Sequence, residues 1–264
     1  MPEAKNKTRK SKAKSADSAE AAPPPSILVI DIGGTKVKML ASGETEPRKV
    51  PSGKTMTPSL LVDVVKEHAI GWKYEAISMG YPGLVGNQGP RSEPGNLGSG
   101  WVGFNFGAAF GLPVRIINDA AMQALGSYEG GRMLFLGLGT GLGSSLICDN
   151  IIVPLELGQL RFNGETIGDL IGRKGLKRLG KEAWRAIVND VATSLTRAFM
   201  VDYLVLGGGN AKNVKALPPG SRRGHNMTAF RGGVRLWNLN DFPTLSSHGE
   251  ADQGTNLPSE WRVV

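Results

Sequence analysis

The chain of 264 residues is long enough to bury a large core, and 40% hydrophobic with 20% charged residues is typical of a globular protein. Its single cysteine excludes a disulfide framework and a cysteine-based zinc cluster. No stretch approaches the roughly 18 consecutive apolar residues of a membrane helix, and the N-terminus lacks the apolar core of a signal peptide. We therefore expect a cytoplasmic protein with no membrane partner.

The net charge of +8 is unevenly distributed, and both ends of the chain differ from its middle. Residues 1–26 are rich in lysine and alanine and run into Pro23-Pro24-Pro25. Without large apolar side chains they cannot offset the entropy of ordering, so we predict a disordered basic tail. The tail is either a solubilising extension or a nonspecific anchor for polyanions. Residues 238–264 are polar and are predicted to be mostly irregular.

Between the tails, strand patterns alternate with helix patterns, which favours an α/β architecture. Strands are predicted over 27–31, 36–41, 76–81, 114–118, 132–138, 143–149 and 203–207. Helices are predicted over 58–70, 119–127, 165–179 and 181–200. The last helix is the best defined, because its apolar residues recur at helical spacing and form one stripe.

Two Gly/Thr turns, at 33–36 and 139–141, each stand between two apolar runs. Hairpin rules predict a pair of strands around each turn. A turn without Cβ atoms lets backbone N–H groups converge on an anion, as phosphate binding requires. One such turn most often only reverses the chain. Two of them, each with a threonine and the first headed by Asp31, indicate two lobes that hold one phosphate donor.

A third feature is the junction between a predicted strand and a predicted helix at Asn118-Asp119. Open α/β sheets bind ligands at the carboxyl ends of their strands, so a carboxylate at this junction is a candidate for chemistry. The alternative is that Asn118 or Asp119 only caps the helix.

Taken together and in order, seven short segments carry a family resemblance. They are Asp-Ile-Gly-Gly-Thr at 31–35, Tyr-Pro-Gly-Leu-Val at 81–85, Asn-Leu…Trp at 96–101, Asn-Asp-Ala at 118–120, Leu-Gly-Thr-Gly-Leu-Gly at 138–143, Glu-Leu-Gly-Gln at 156–159 and Leu-Gly-Gly-Gly at 206–209. This order resembles the ROK family of sugar kinases, and most closely its polyphosphate-glucokinase branch. The resemblance implies a two-lobed, actin/hexokinase-like (ribonuclease H-like) ATPase fold and a homodimer. Residues 27–118 would form the N-terminal lobe and 119–237 the C-terminal lobe.

The resemblance also implies a role for each matching position. Asp119 is the expected catalytic base, and Asp31 is the carboxylate expected to orient Mg²⁺ through a bound water. The expected donor-phosphate residues are Asp31, Gly33, Gly34, Thr35, Lys36, Gly139, Thr140, Gly141, Gly208 and Gly209. The expected sugar-binding residues are Asn118, Asp119, Glu156, Gln159, Asn96 and Gly83. The implied reaction is phosphoryl transfer from polyphosphate, ATP or both to the 6-hydroxyl of glucose or a close hexose.

Three departures from the family pattern bear on this expectation. Gln159 stands where the family has histidine in a Glu-x-Gly-His segment, and glutamine can hydrogen-bond a hydroxyl but carries no charge. The cysteine-rich zinc segment of many members is absent, as it is in the polyphosphate branch. After Gly209, members of the family have a helix and a segment of small residues that returns to the first lobe. We expect both to be replaced in this chain, which would alter the pocket that holds adenine in relatives.

Two alternative functions are also consistent with the sequence. One is a noncatalytic sugar-binding protein, and the other is an ATP-only kinase of another hexose. Repressors of the same family carry a helix-turn-helix domain ahead of the first phosphate turn, for which 26 residues are too few. We therefore expect no sequence-specific nucleic-acid partner.

A run of cations bears on the phosphoryl donor. Five cations fall at helical spacing, with Arg173 beside them and with Gly180 expected to interrupt the helix: Lys174, Lys177, Arg178, Lys181 and Arg185. Glu182 is the only acid between 173 and 185. The simple interpretation is a solvated helix face. A row of cations also suits a linear polyanion better than compact ATP, so polyphosphate is the favoured donor.

Overall fold

A computed structural model describes residues 25–225 and 227–237 together with a short strand near the C-terminus. The strands are β1 (Ile27–Ile32), β2 (Lys36–Ala41), β3 (Arg48–Pro51), β4 (Ala76–Tyr81), β5 (Val85–Gly86), β6 (Gly89–Pro90), β7 (Val114–Asn118), β8 (Arg132–Leu138), β9 (Leu142–Cys148), β10 (Ile151–Leu155), β11 (Arg161–Phe162), β12 (Glu165–Thr166), β13 (Tyr203–Gly207), β14 (Ser221–Arg223) and β15 (Arg262–Val263). The helices are α1 (Pro58–His68), α2 (Phe106–Phe110), α3 (Asp119–Ser127), α4 (Ile167–Ile171), α5 (Arg173–Ala198) and α6 (Thr228–Arg235).

The strands form two main sheets, one for each half of the described chain. The first has the order β3-β2-β1-β4-β7, and the second has the order β14-β13-β8-β9-β10-β15. In each sheet an antiparallel hairpin is flanked by a parallel strand, β1–β2 beside β4 and β8–β9 beside β13. The predicted α/β class and both predicted hairpins are confirmed.

The central strand of the first sheet is covered on both faces. All six residues of β1 are buried. Leu28 and Ile30 pack in the cluster that contains α1, whereas Ile27 and Val29 pack in the cluster that contains α3 and α6. Since side chains alternate along a strand, Asp31 lies on the α3 side. The chemistry-bearing end of β1 therefore faces the space between the two sheets.

Helices α3 and α6 pack closely on each other because both have glycines at their contact. A Cβ atom on Gly126 would lie 1.8 Å from the carbonyl oxygen of Thr228, and one on Gly232 would lie 1.8 Å from that of Met122. A Cβ on Gly233 would lie 2.2 Å from Val29 of the first sheet. Helix α6 follows Gly209 in the chain, and its small residues pack against the first sheet. The expectation that the family's helix and its small-residue return to the first lobe are replaced is therefore wrong.

Other sequence predictions need correction at the level of single elements. The helix predicted over 165–179 is divided into β12, α4 and the start of α5, with a break at Gly172. Gly180 interrupts α5 as expected, with φ 75° and ψ 168°. The sequence patterns do not predict the short elements β3, β5, β6, β10, β11, β14, α2 and α6. None of the described helices is long and apolar enough to cross a membrane.

The two predicted tails lie mostly outside the described residues. Of the basic tail at 1–26, only Pro25 and Ser26 are described. Within the predicted irregular segment 238–264, Arg262 and Val263 form β15, which pairs in parallel with β10.

Candidate active site

Three carboxylates come together between the two sheets. Asp31 lies near the carboxyl end of β1, and Asp119 follows β7 directly at the start of α3. Because β1, β4 and β7 run parallel, both residues lie at the same edge of the first sheet. Glu156 follows β10 of the second sheet. The negative charges of Asp31 and Glu156 both raise the pKa of Asp119, so the three carboxylates lie close enough to interact electrostatically.

The environment of Asp119 favours its protonated form. Burial, followed by the negative charge of Asp31, raises the pKa of Asp119 to about 7, and Glu156 adds to the shift while the Ala120 N–H opposes it. Some of the residue's surface remains accessible to solvent, so it is enclosed by protein and still reachable. A carboxyl with a pKa near neutral pH is suited to general base catalysis.

Helix capping at this junction falls mainly to Asn118. Its Oδ1 accepts hydrogen bonds from the N–H groups of Ala120 at 3.0 Å and Ala121 at 3.1 Å, and its Nδ2 donates to the Gly83 carbonyl at 3.2 Å. Asp119 Oδ1 accepts from the Ala120 N–H at 2.8 Å, and its Oδ2 accepts from no other described residue. The second carboxylate oxygen of Asp119 is therefore available to a substrate, whereas Asn118 keeps one N–H for a sugar.

Asp31 is held by a lysine from the neighbouring strand. Lys38 Nζ donates to Asp31 Oδ2 at 2.9 Å, and the side chain of Asp31 is only 9% exposed. A buried carboxylate is costly without a partner, and this ammonium supplies one. Sequence reasoning did not select Lys38, although its place opposite Asp31 follows from the hairpin register.

The first glycine turn is closed by backbone bonds and by a serine from β3's C-terminal flank. The Gly33 N–H donates to the Lys36 carbonyl at 3.0 Å, and Ser52 Oγ donates to the Gly33 carbonyl at 2.5 Å. A Cβ atom on Gly34 would lie 2.9 Å from Cβ of Asn96. The absence of a side chain at Gly34 thus lets the predicted donor turn contact the loop that carries a predicted sugar ligand. Thr35 and Lys36 are exposed at the tip of the turn.

The second glycine turn rests on the start of α5. The Arg173 N–H donates to the carbonyls of Gly139 at 3.0 Å and Thr140 at 3.2 Å, and Asn210 Nδ2 donates to the Gly139 carbonyl at 2.9 Å. A Cβ on Gly172 would lie 2.6 Å from the Thr140 carbonyl, so this close approach requires glycine. Thr140 and Gly141 are exposed.

The predicted Gly208–Gly209 turn meets the same loop. Gly208 has a φ of +77°, and a Cβ there would lie 2.6 Å from the Leu138 carbonyl. The Asn210 N–H donates to that carbonyl at 2.9 Å. Asn210 therefore ties the two predicted donor segments of the second sheet together, a role that its sequence position does not reveal.

Glu156 and Gln159 lie on one short turn. Residues Leu157–Gln159 form a 3₁₀ turn that begins after Glu156, and i and i+3 positions eclipse in this geometry. Both side chains are exposed, and partial desolvation by neighbouring atoms raises the pKa of Glu156. Ser144 Oγ, which is buried, accepts the Leu157 N–H at 3.0 Å and donates to the Leu155 carbonyl at 2.8 Å. Ser144 therefore fixes the backbone on either side of Glu156.

The loops that carry Gly83 and Asn96 are supported by Tyr81 and Glu93. The buried Tyr81 donates its hydroxyl to the Ser92 carbonyl at 2.7 Å, and its ring lies 2.8 Å from where a Gly83 Cβ would be. Glu93 accepts the N–H groups of Trp101 and Val102, each at 3.2 Å. Asn96 itself is exposed. None of these supporting contacts was predicted from the sequence.

The run of cations on α5 is divided in the structure. Arg178 forms a two-bond ion pair with Glu165, at 2.5 and 3.1 Å, and Lys174 Nζ lies 3.9 Å from Asp169. Arg185 donates to the Asn213 carbonyl at 2.6 Å. The remaining three, which pair with no described carboxylate, are exposed: Arg173, Lys177 and Lys181. The expected interruption at Gly180 is confirmed. The expectation of a helix face almost without acids needs correction, because the segment before α5 supplies Glu165 and Asp169 as partners.

The donor set around Asp31 is compatible with Mg²⁺. The described residues contain no group of three or more His, Cys, Asp or Glu side chains arranged to hold a metal. Mg²⁺ commonly binds through one or two carboxylates, several waters and substrate phosphates, so a dedicated cage is not required. Asp31 is a buried carboxylate two residues before the first glycine of the turn at 33–36, and it would be the residue that holds the ion through water.

A surface depression of about 680 Å³ lies elsewhere, beyond the C-terminus of α1, and is lined by Trp72, Tyr74 and Lys66, among others. It contains none of the predicted site residues, so the carboxylate site is the better candidate on chemical grounds.

Comparison with curated proteins finds distant relatives, although no protein-family model matches the chain. The chain is 27% identical over 203 residues to a polyphosphate glucokinase of Mycobacterium leprae, covering 68% of this chain and 62% of that protein. It is 26% identical over 215 residues to a polyphosphate glucokinase of Mycobacterium tuberculosis, covering 72% and 80%. An N-acetylmannosamine kinase of Salmonella paratyphi A is 28% identical over 159 residues, covering 54% of each chain. The match to the Mycobacterium leprae protein thus spans less than two thirds of that relative's length.

Solved structures share the fold. An inorganic polyphosphate/ATP-glucomannokinase from Arthrobacter superposes with a TM-score of 0.69 at 24% identity, covering 80% of this chain and 97% of that one. A ROK family glucokinase from Streptomyces griseus, solved with glucose and AMPPNP, superposes with a TM-score of 0.59 at 19% identity, covering 80% and 99%. The two-lobed actin/hexokinase-like fold is therefore confirmed. The chain is thus similar in sequence to polyphosphate glucokinases and in fold to ROK-family sugar kinases.

Proposed function

We propose that this protein transfers a phosphoryl group from polyphosphate, ATP or both to the 6-hydroxyl of glucose or a close hexose. The observation that carries the proposal is Asp119, a carboxylate with one free oxygen and a pKa raised to about 7 by burial and by the charge of Asp31. Phosphoryl transfer needs positioning and charge neutralisation more than covalent help. A base and amide-rich turns are the groups that such a reaction requires.

In the proposed reaction, Asp119 Oδ2 accepts the proton of the attacking sugar hydroxyl. The hydroxyl oxygen forms a bond to phosphorus while the bond between phosphorus and the leaving phosphate breaks. Glu156 and Gln159, on one side of their turn, would accept and donate hydrogen bonds to neighbouring ring hydroxyls. The N–H groups of Gly34, Thr35, Thr140 and Gly141 would bind the donor phosphates, because those of Gly33 and Gly139 already donate within their own turns. Mg²⁺ held near Asp31 would neutralise charge on the phosphoryl oxygens.

Two observations bear on the choice of donor. The names of the Mycobacterium relatives and of the Arthrobacter enzyme include polyphosphate, and the Arthrobacter name also includes ATP. In this chain Arg173, Lys177 and Lys181 are exposed cations beyond the second glycine turn, and they would suit an extended polyanion. We propose polyphosphate as a donor, with ATP as a second one.

The proposed function is tested by measuring phosphorylation of glucose, mannose and N-acetylmannosamine with polyphosphate and with ATP. We expect glucose or mannose 6-phosphate from polyphosphate. If product forms only from ATP, the protein is an ATP-dependent hexose kinase. A noncatalytic sugar-binding protein is the second candidate because Gln159 replaces the family histidine. Heat released on sugar binding, without product from either donor, would favour that candidate.

A further inference from the structure

Ser52 bonds the first glycine turn twice, from outside that turn. It follows β3 directly, one step beyond the Lys36–Pro51 pair that ends the β2–β3 ladder. Its N–H donates to the Thr35 carbonyl at 3.1 Å, and its hydroxyl donates to the Gly33 carbonyl at 2.5 Å. The first bond continues the strand ladder, whereas the second is made by the side chain. The hydroxyl therefore supplies a contact that strand pairing alone does not provide.

The side-chain bond fixes the peptide group between Gly33 and Gly34. This peptide is trans, so its C=O and its N–H point in opposite directions. With the Gly33 carbonyl held toward Ser52, the Gly34 N–H points away from β3. The two flanking glycines have no Cβ atom, which gives this peptide more rotational freedom than the others in the turn. The Ser52 hydroxyl therefore decides where the Gly34 N–H points.

The Gly34 N–H is available to a ligand. It donates to no acceptor among residues 25–225 and 227–237, whereas the Gly33 N–H donates to the Lys36 carbonyl at 3.0 Å. Gly34 also lies against the predicted sugar loop, since a Cβ atom there would be 2.9 Å from Cβ of Asn96. An N–H at this place is suited to an oxygen of the phosphate that is to meet the sugar.

The segment that carries Ser52 is itself fixed against the rest of the site. The Met56 N–H donates to the Gly53 carbonyl at 2.9 Å, which closes a turn directly after Ser52. Met56 is buried, and its carbonyl accepts the Gly98 N–H at 3.0 Å. This segment therefore contacts both the first donor turn and the loop at 96–101.

The second donor turn is held in a similar way but with one more bond. The carbonyl of Gly139, the first glycine of that turn, accepts Asn210 Nδ2 at 2.9 Å and the Arg173 N–H at 3.0 Å. Among the described residues, only the Ser52 hydroxyl donates to the Gly33 carbonyl. Loss of this hydroxyl therefore leaves the first turn with a peptide that nothing else restrains.

We propose that Ser52 is a positioning residue, which orients the Gly34 N–H toward the donor phosphate through its hydrogen bond to the Gly33 carbonyl. This inference rests on the proposed function and deepens it. Ser52 contacts neither the phosphate nor the sugar, and it takes no part in proton transfer. It keeps one N–H oriented before the donor arrives, so that donor binding does not have to order the turn.

The test is calorimetric binding of tripolyphosphate, and separately of ATP, each with Mg²⁺, to the full chain. Ser52→Ala should weaken binding of whichever donor the wild type binds by about three- to tenfold, the effect of one neutral hydrogen bond. Ser52→Thr keeps the hydroxyl and should bind within about twofold of the wild type. Glucose affinity should change by less than about twofold in both variants.

Ser42→Ala is the matched control. Ser42 Oγ accepts the Ile27 N–H at 3.0 Å and donates to the Ile27 carbonyl at 3.3 Å, at the opposite end of the β1–β2 hairpin. This variant also loses a hydroxyl that bonds the backbone of the first sheet, but far from the glycine turn. Its donor binding should stay within about twofold of the wild type.

Kinetics separate this inference from the proposed function. Ser52→Ala should lower kcat/KM for the donor by at least about threefold, with the sugar KM changed less than about twofold. If donor binding depends on Ser52 but no sugar phosphate forms, the proposed function fails and the assignment of Ser52 stands. If sugar phosphate forms and Ser52→Ala weakens donor binding by less than threefold, the assignment is overturned and the proposed function stands. An equal loss in Ser52→Thr or in Ser42→Ala, or no donor binding by the wild type, also overturns the assignment.

Discussion

Asn118 and Asp119 share one hydrogen-bond donor at the start of α3. The Ala120 N–H lies 3.0 Å from Asn118 Oδ1 and 2.8 Å from Asp119 Oδ1. Asn118 also accepts the Ala121 N–H, so the helix keeps its cap without Asp119. This division leaves the second oxygen of Asp119 free, and it explains how a helix terminus can carry a base.

The raised pKa of Asp119 predicts a stability effect of Asp119→Asn. The folded state retains a proton that the unfolded chain releases near pH 4, so wild-type stability falls as pH rises from about 4 to about 7. Asparagine keeps the shape and the Ala120 hydrogen bond without the charge. Above pH 7 the variant should have a larger free energy of unfolding than the wild type, by up to about 4 kcal/mol, at about 1.4 kcal/mol for each pKa unit.

The pH dependence is the control for that measurement. The difference in unfolding free energy between Asp119→Asn and the wild type should shrink to near zero at pH 4, measured by urea denaturation. A difference that does not vary between pH 4 and pH 8 would mean that Asp119 titrates normally.

Ser144 should influence sugar binding through Glu156. Ser144→Ala removes the acceptor of the Leu157 N–H, which frees the turn that carries Glu156 and Gln159. We expect the sugar KM to rise several-fold, with a stability loss of about 1 kcal/mol. Ser145→Ala is the matched control, because the buried Ser145 donates to the Val153 carbonyl from the opposite face of β9. Equal KM changes in the two variants would mean that Ser144 has no specific role in sugar binding.

Gln159 should contribute to sugar binding directly. Gln159→Ala should raise the sugar KM several-fold, because one or two hydroxyl hydrogen bonds at roughly 0.5–1.5 kcal/mol each are lost. Steady-state kinetics with several hexoses measure this effect. An unchanged KM for every hexose would place the exposed Gln159 side chain outside the sugar site.

The exposed cations on α5 should matter for polyphosphate more than for ATP. Activity with polyphosphate should fall steeply as salt rises, because each phosphate contact releases condensed counterions. Charge reversal at Lys177 and Lys181 should reduce that activity far more than activity with ATP. Reversal at Lys174, which lies near Asp169, is the comparison. Equal losses with both donors would assign these residues to an ordinary basic surface.

Much of the fold is predictable from sequence because local patterns encode it. The β1–β2 and β8–β9 hairpins are confirmed, since each joins two apolar runs through a glycine turn. Helix α6 was missed because its contacts are tertiary. Gly126 and Gly232 show their meaning only when the two helices touch. The break at Gly172 is set by its approach to Thr140, which sequence spacing does not reveal.

The residues of the candidate site likewise fall into those that sequence patterns predict and those that they do not. Asp31 and Asp119 stand out in sequence because each adjoins a strand end. Ser144 and Asn210 act by hydrogen bonds to backbone that is distant in sequence, at 3.0 Å to Leu157 and 2.9 Å to Gly139. Lys38 falls between these cases, because its register opposite Asp31 could be derived once the hairpin is accepted.

The central claim is that Asp119 is the base of a sugar kinase. The most direct measurement is the rate of hexose 6-phosphate formation by Asp119→Asn, with glucose binding measured in parallel by calorimetry. We predict that kcat falls by about 10²- to 10⁴-fold while glucose affinity changes much less, because the variant loses the proton acceptor and keeps the hydrogen-bonding shape. A variant that retains more than about a tenth of the wild-type turnover would contradict the account, because Asp119 would then serve only the helix terminus.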